Sequence, residues 1–168
     1  MKKKLFTLSN ILTCVTFLFT LVSFILYIVN ITKDGFFKGV TVPGLVALFI
    51  FALLFELLII GSSLLNLKGI LGKVESVVVM VLKVFIPLFL AIGLLNLLST
   101  RIEGIGYIFF SNVDVRKEVA TPENIASAVV TFVTGGTMLL SMLLGIVGAY
   151  FSVKKEEADQ VVAKPVVE

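Results

Sequence analysis

Residues 8–30 read LSNILTCVTFLFTLVSFILYIVN, a run that holds no charged side chain. An α-helix rises about 1.5 Å per residue, so about 20 apolar residues cross the roughly 30 Å of hydrocarbon in a bilayer. This run is long enough to do so. Its polar residues are also ordered. Ser9, Thr13, Thr16, Thr20, Ser23, Tyr27 and Asn30 follow one another at steps of 4, 3, 4, 3, 4 and 3, with Asn10 and Cys14 one residue off the line. A 3.5-residue period keeps one seam of a helix turned toward a partner in a left-handed bundle. Hydroxyl and amide groups facing lipid would have nothing to bond, so the seam must face protein or a wet cavity. Two readings stand: packing between helices, or the wall of a polar permeation path.

The rest of the chain agrees with a lipid environment. Apolar residues make up 58% of the 168, charged residues 15%, and the mean hydropathy is +1.13. Soluble domains carry about 25% charge, and disordered segments are poor in apolar residues, so both classes are excluded. Three further runs qualify as spans: 43–65 with one charge, Glu56; 76–98 with Lys83 and Pro87; and 125–151 with none. Continuous runs of this length are helices, since barrel strands would alternate over about ten residues. The expected fold is an all-α membrane protein, a four-transmembrane-helix antiparallel bundle. Residues 1–153 form it, with spans at 8–29, 43–65, 76–98 and 125–151 and an outer loop at 99–124. Residues 154–168 read as a polar, disordered tail.

Orientation follows from the basic residues beside the spans. With the N-terminus in the cytoplasm, Lys2, Lys3, Lys4, Lys68, Lys73, Lys154, Lys155 and Lys164 lie inside, and Lys33, Lys38, Arg101, Arg116 and Lys117 outside. That places both termini inside. A secretory signal is not expected, because the first run exceeds the 7–15 or so apolar residues of a signal core. The net charge of +3 is then a topology signal rather than a nucleic-acid footprint. The turn 66–75, with Gly69 and Gly72, folds spans two and three into a hairpin. Thr121-Pro122-Glu123 reads as a helix start, with an N-cap hydroxyl, proline at the first helical position and an acid at the positive end of the dipole.

Glu56 and Lys83 are the charges inside spans, where each costs at least about 2.5–3.5 kcal/mol. Counted from the turn, they stand about 15 Å and 12 Å deep on opposite sides of the hairpin. A lysine stem can bridge that offset, so an intramembrane Glu56–Lys83 pair is expected, structural or ion-coupling. The other arrangement has Lys83 snorkelling inward and leaving Glu56 to a wet site. Pro87, one turn beyond Lys83, removes a backbone bond and should bend the third helix. In the fourth span, Thr137, Ser141, Gly145 and Ala149 recur every four residues, with Gly135, Gly136 and Gly148 nearby. Such a stripe lets backbones approach closely, within the bundle or against another membrane subunit or a second copy.

With no histidine and only Cys14, the chain can build no His-ligated haem, His base, CxxC pair or Cys/His zinc cluster, so no cofactor or metal is expected. Lys83 has no motif-bound serine beside it, so no enzyme is expected. The expectation is a non-catalytic accessory, scaffold or interaction subunit in a bacterial plasma membrane. The alternative is a small transporter or channel using Glu56, Lys83 and the polar seam.

Overall fold

The computed structural model describes residues 8–65 and 70–162, with side chains to residue 151. Lys2, Lys3, Lys4, Lys68, Lys164, the side chains of Lys154 and Lys155, and residues 66–69 of the expected turn lie outside the described residues. Every regular element among the described residues is a helix: α1 (Leu8–Thr32), α2 (Leu45–Leu64), α3 (Ile70–Phe110), α4 (Val113–Val119) and α5 (Pro122–Val162). Four of them, α1, α2, α3 and the Pro122–Phe151 part of α5, are long and apolar enough to cross a membrane. The four apolar runs are therefore four helices, and the chain has the composition and element lengths of an integral membrane protein. Helix α1 packs mainly on α2 and α5, and α3 packs on the same two.

The segment 99–124, expected as a loop, is mostly helix. Helix α3 continues without a break through Pro87 and past Ser99 to Phe110, and α4 follows at once. The reason lies in its buried face: Leu90, Gly93, Leu97, Arg101, Gly104 and Ile108 keep facing inward at helical spacing. Polar residues at 99–103 mark a change of surroundings, not a change of backbone. The predicted start at Thr121 is in place. Helix α5 begins at Pro122, and the Thr121 hydroxyl accepts the Asn124 N–H at 3.3 Å. At its other end α5 runs on to Val162, so the backbone of 154–162 is helical where a disordered tail was expected.

Burial is inverted relative to a soluble bundle. Leucines such as Leu18, Leu58 and Leu95 turn outward, 58%, 58% and 65% exposed, whereas Thr20, Ser23, Glu56, Arg101 and Ser141 are fully buried. A surface of large apolar side chains around a polar seam is what a lipid solvent selects. The main apolar core, with Leu45, Phe49, Ala52, Leu90, Leu97 and Met138, fills the space between the helices beside that seam. A second, smaller cluster of Phe37, Ile105, Ile108 and Ala128 joins the 33–44 connection to the far ends of α3 and α5.

Gly104 is what lets that second cluster close. A Cβ built there would lie 2.6 Å from ring atoms of both Phe36 and Phe37, closer than carbon atoms pack. Gly106, two residues on, has open space. Gly104→Ala should therefore destabilise the purified protein by about 1–3 kcal/mol, the usual range for overpacking. Gly106→Ala should be neutral or slightly stabilising, as glycine is a poor helix former. Unfolding of both variants in detergent measures the difference.

Candidate functional site

The seam on α1 faces inward along almost its whole length. Thr13, Thr16, Thr20, Ser23, Tyr27 and Asn30 are all buried, and Ser9 at the end is half-buried. Its main partner is α5, and the bonds form a ladder. The Ser9 hydroxyl donates to the Gly148 carbonyl at 3.0 Å. Thr20 Oγ1 and Ser141 Oγ are 2.7 Å apart, and Ser141 Oγ also lies 3.1 Å from the Thr16 carbonyl. Ser23 donates to Thr137 Oγ1 at 2.7 Å. At the last rung, the Asn30 amide donates to Thr131 Oγ1 and accepts from Ser127 Oγ, both at 2.7 Å. Residue numbers rise along α1 as they fall along α5. Tyr27 turns elsewhere: its hydroxyl accepts the Val42 N–H at 2.7 Å and ties α1 to the start of α2.

The face that α5 gives to this ladder is only partly the stripe expected from sequence. Ser141 is fully buried, but Thr137, Gly145 and Ala149 are half-buried and Gly136 is exposed. The buried row is Ser127, Thr131, Thr134, Met138, Ser141 and Gly148, with half-buried Gly145 completing it. Its steps are 4, 3, 4, 3, 4 and 3, the same period as α1. A strict four-residue step drifts off a helix face, and the 3.5-residue period applied to both helices finds the true row. Pro87 is buried in α3, with its ring 3.7 Å from the position a Cβ on Gly145 would take.

Glu56, at the middle of α2, enters the same network. Its Oε1 accepts the Thr20 hydroxyl at 3.0 Å, and its Oε2 is buried with no hydrogen-bond partner. Thr20 and Ser141 each have one proton to give. A single consistent chain runs from Ser141 to Thr20 to Glu56, three residues on three helices. The expected direct Glu56–Lys83 pair is not formed. Among the described residues the ion pair within 4.0 Å is the exposed Lys38–Asp34 contact. Lys83 Nζ instead donates to Ser9 Oγ at 2.5 Å. Ser9 and Thr20 are eleven residues apart, about 16 Å along α1, which leaves more than about 10 Å between the two charged groups. The lysine stem is long and flexible enough to carry its ammonium toward the Ser9 end of the bundle, away from Glu56. Glu56 and Lys83 still line one small cavity with Thr13, Thr16, Gly145 and Gly148.

A third buried charge, Arg101, lay hidden in the segment expected to be a loop. It is fully buried on α3, its Nη2 donates to the Val40 carbonyl at 2.5 Å, and its guanidinium sits 4.4 Å from the centre of the Phe37 ring. Its Nε and Nη1 have no hydrogen-bond partner. The side chain clamps the 33–44 connection down onto α3 by a charge-assisted bond and a cation–π contact. The available signal was its place on the inward row of α3, four residues after Leu97 and seven before Ile108. No group of three or more His, Cys, Asp or Glu that could hold a metal occurs among the described residues.

Two outcomes follow from this geometry. A double-mutant cycle of Asn30→Ala and Thr131→Ala should show a coupling of about 0.6 kcal/mol, and not above about 1.7, the range for hydrogen bonds between membrane helices. Arg101→Lys keeps the charge but loses the planar fork that reaches Val40 while stacking on Phe37. It should speed protease cleavage within 33–44, which accessible-site proteolysis of the intact protein will report. Comparison with protein-family models, with curated proteins and with solved structures finds no match for this chain, so the ladder, the Glu56 cavity and the Arg101 clamp carry its functional reading alone.

Proposed function

We propose that the protein is a non-catalytic component of a membrane assembly, an accessory, scaffold or interaction subunit. In this reading it is an antiparallel four-helix bundle in a bacterial plasma membrane, with both termini on the cytoplasmic side. One observation supports it: four of the seven seam residues of α1, Ser9, Thr20, Ser23 and Asn30, bond α5, the Thr13 and Thr16 hydroxyls bond carbonyls of α1 itself, and Tyr27 bonds Val42. The seam hydroxyls that would have to meet a permeating solute are already bonded within the protein. The positive residues beside α1 and α3 support the orientation. Docking to another subunit or a second copy would use the outward side of α5, where Gly136 has open space and Leu139, Leu140 and Leu143 are exposed. A glycine among such side chains leaves the notch that close helix approach needs.

A second reading, a small transporter or channel, is favoured by the unanswered oxygen of Glu56 within its cavity. Reconstitution separates the two. The accessory reading expects no proton, cation or anion flux in vesicles carrying the full chain, and a membrane protein co-purifying in mild detergent. Flux that Glu56→Gln abolishes, with no partner recovered, would replace it with the transport reading.

A further inference from the structure

Glu56 Oε2 poses a problem in either protonation state. As a carboxylate oxygen it lacks a donor, and as a carboxyl O–H it lacks an acceptor, because no protein atom bonds it. A buried polar atom left in that condition costs about 1–3 kcal/mol, more if charged. The cavity beside it has about 10 Å³ open to the centre of a water-sized sphere, the space of one water molecule. A hard metal cation is a poor guest. Such ions take six or more oxygens, and the side chains here supply Glu56, Thr13 and Thr16, with a cationic Lys83 on the same wall.

The surroundings are lopsided. Toward the Ser9 end, Thr16, Thr13, Lys83 and Ser9 bring polar groups, with apolar Ile86 and Leu144 also on the cavity wall. Toward the other end, Ala52, Phe49, Leu45, Leu90 and Met138 close the core, none more than 1% exposed. Among the described residues, the charged group that lines the cavity besides Glu56 is Lys83. It comes from α3, while α1 presents Thr13, Thr16 and Thr20 and α5 presents Ser141, Gly145 and Gly148, none of which titrates.

We propose that this cavity is a proton site: Glu56 takes up one proton, held against a single bound water, and exchanges it only through the Ser9 end of the bundle. The step balances simply. A hydronium ion arriving along the Thr13–Thr16 side gives its proton to the carboxylate, leaving a carboxyl group and the water molecule that bonds it. Release is the reverse, with the water accepting the proton. On that side of the site the Lys83 ammonium bonds Ser9. The site takes a proton whether or not the protein moves any solute, which keeps it separate from the flux experiment above.

Infrared spectroscopy of the full chain in lipid tests the site. A carboxyl C=O band should appear and disappear reversibly with pH, shift in D2O, and be missing in Glu56→Gln. Should Glu56→Gln fail to accumulate, Glu56→Asp keeps a carboxyl and should displace the band. Thr16→Val, which replaces a lining hydroxyl by a methyl of similar size, should slow deuterium exchange of the band roughly tenfold, equivalent to about 1.4 kcal/mol of added barrier. In vesicles carrying the chain in one orientation, an acid step should load the band from the Ser9 side alone. A spectrum in which no pH-dependent band changes with Glu56, loading that is equal from both sides, or unchanged exchange in Thr16→Val would each overturn the proposal. So would a band displaced by sodium or potassium at fixed pH, which would assign the site to a metal cation.

Discussion

The rest of the structure depends on the absence of water around its middle. In hydrocarbon a hydroxyl or amide turned outward loses its hydrogen bond, so polar side chains gather where they can answer one another. The α1–α5 ladder is the result: Ser9, Thr20, Ser23 and Asn30 of one helix bond Gly148, Ser141, Thr137, Thr131 and Ser127 of the other. No single rung contributes much. Bonds between membrane helices average about 0.6 kcal/mol, since the separated helices find other partners. Several rungs at one period still fix register, because sliding α5 by one turn breaks them together. Leucine exposed to lipid imposes no such register, as lipid tails and leucine are equally apolar.

That constraint also explains how much was legible in the residues. The four spans could be read from apolar runs against the thickness of a bilayer, and the α1 seam from its 3.5-residue period. The matching row on α5 obeys the same period but was obscured, since Met138, Gly145 and Gly148 carry no hydroxyl and Thr137 and Ala149 suggested a four-residue step. The continuation of α3 to Phe110 was lost for a different reason. Ser99, Thr100, Arg101 and Glu103 read as a loop because charge ends a membrane run, yet a helix need not end where a membrane does. Its inward row runs on through Leu97, Arg101, Gly104 and Ile108, and only tertiary contact with Phe36 and Phe37 reveals that Arg101 is inside.

The two fully buried charges are handled by different means. Arg101 spreads its charge over a ring face and a carbonyl, both supplied by one connection, and so acts as a clamp on that connection. Its role is local and mechanical. Glu56 instead sits where three helices meet and takes a single bond, from a hydroxyl that is itself the middle of a chain. Packing alone does not call for a carboxyl there, because a glutamine could accept from Thr20 equally well and would carry no charge to bury.

Lys83 sharpens the point. A register-pinning ion pair would bring ammonium and carboxylate into contact, where their attraction offsets part of the cost of removing both from water. The lysine instead bonds Ser9 near the end of the bundle, more than about 10 Å from the carboxyl along the helix rise. Its stem lines the cavity while its charge leaves it. The carboxyl therefore forms no ion pair with Lys83, is open on one oxygen, and lies next to room for one water. Those three conditions together are costly for a purely structural residue, and the proposed proton site accounts for all three.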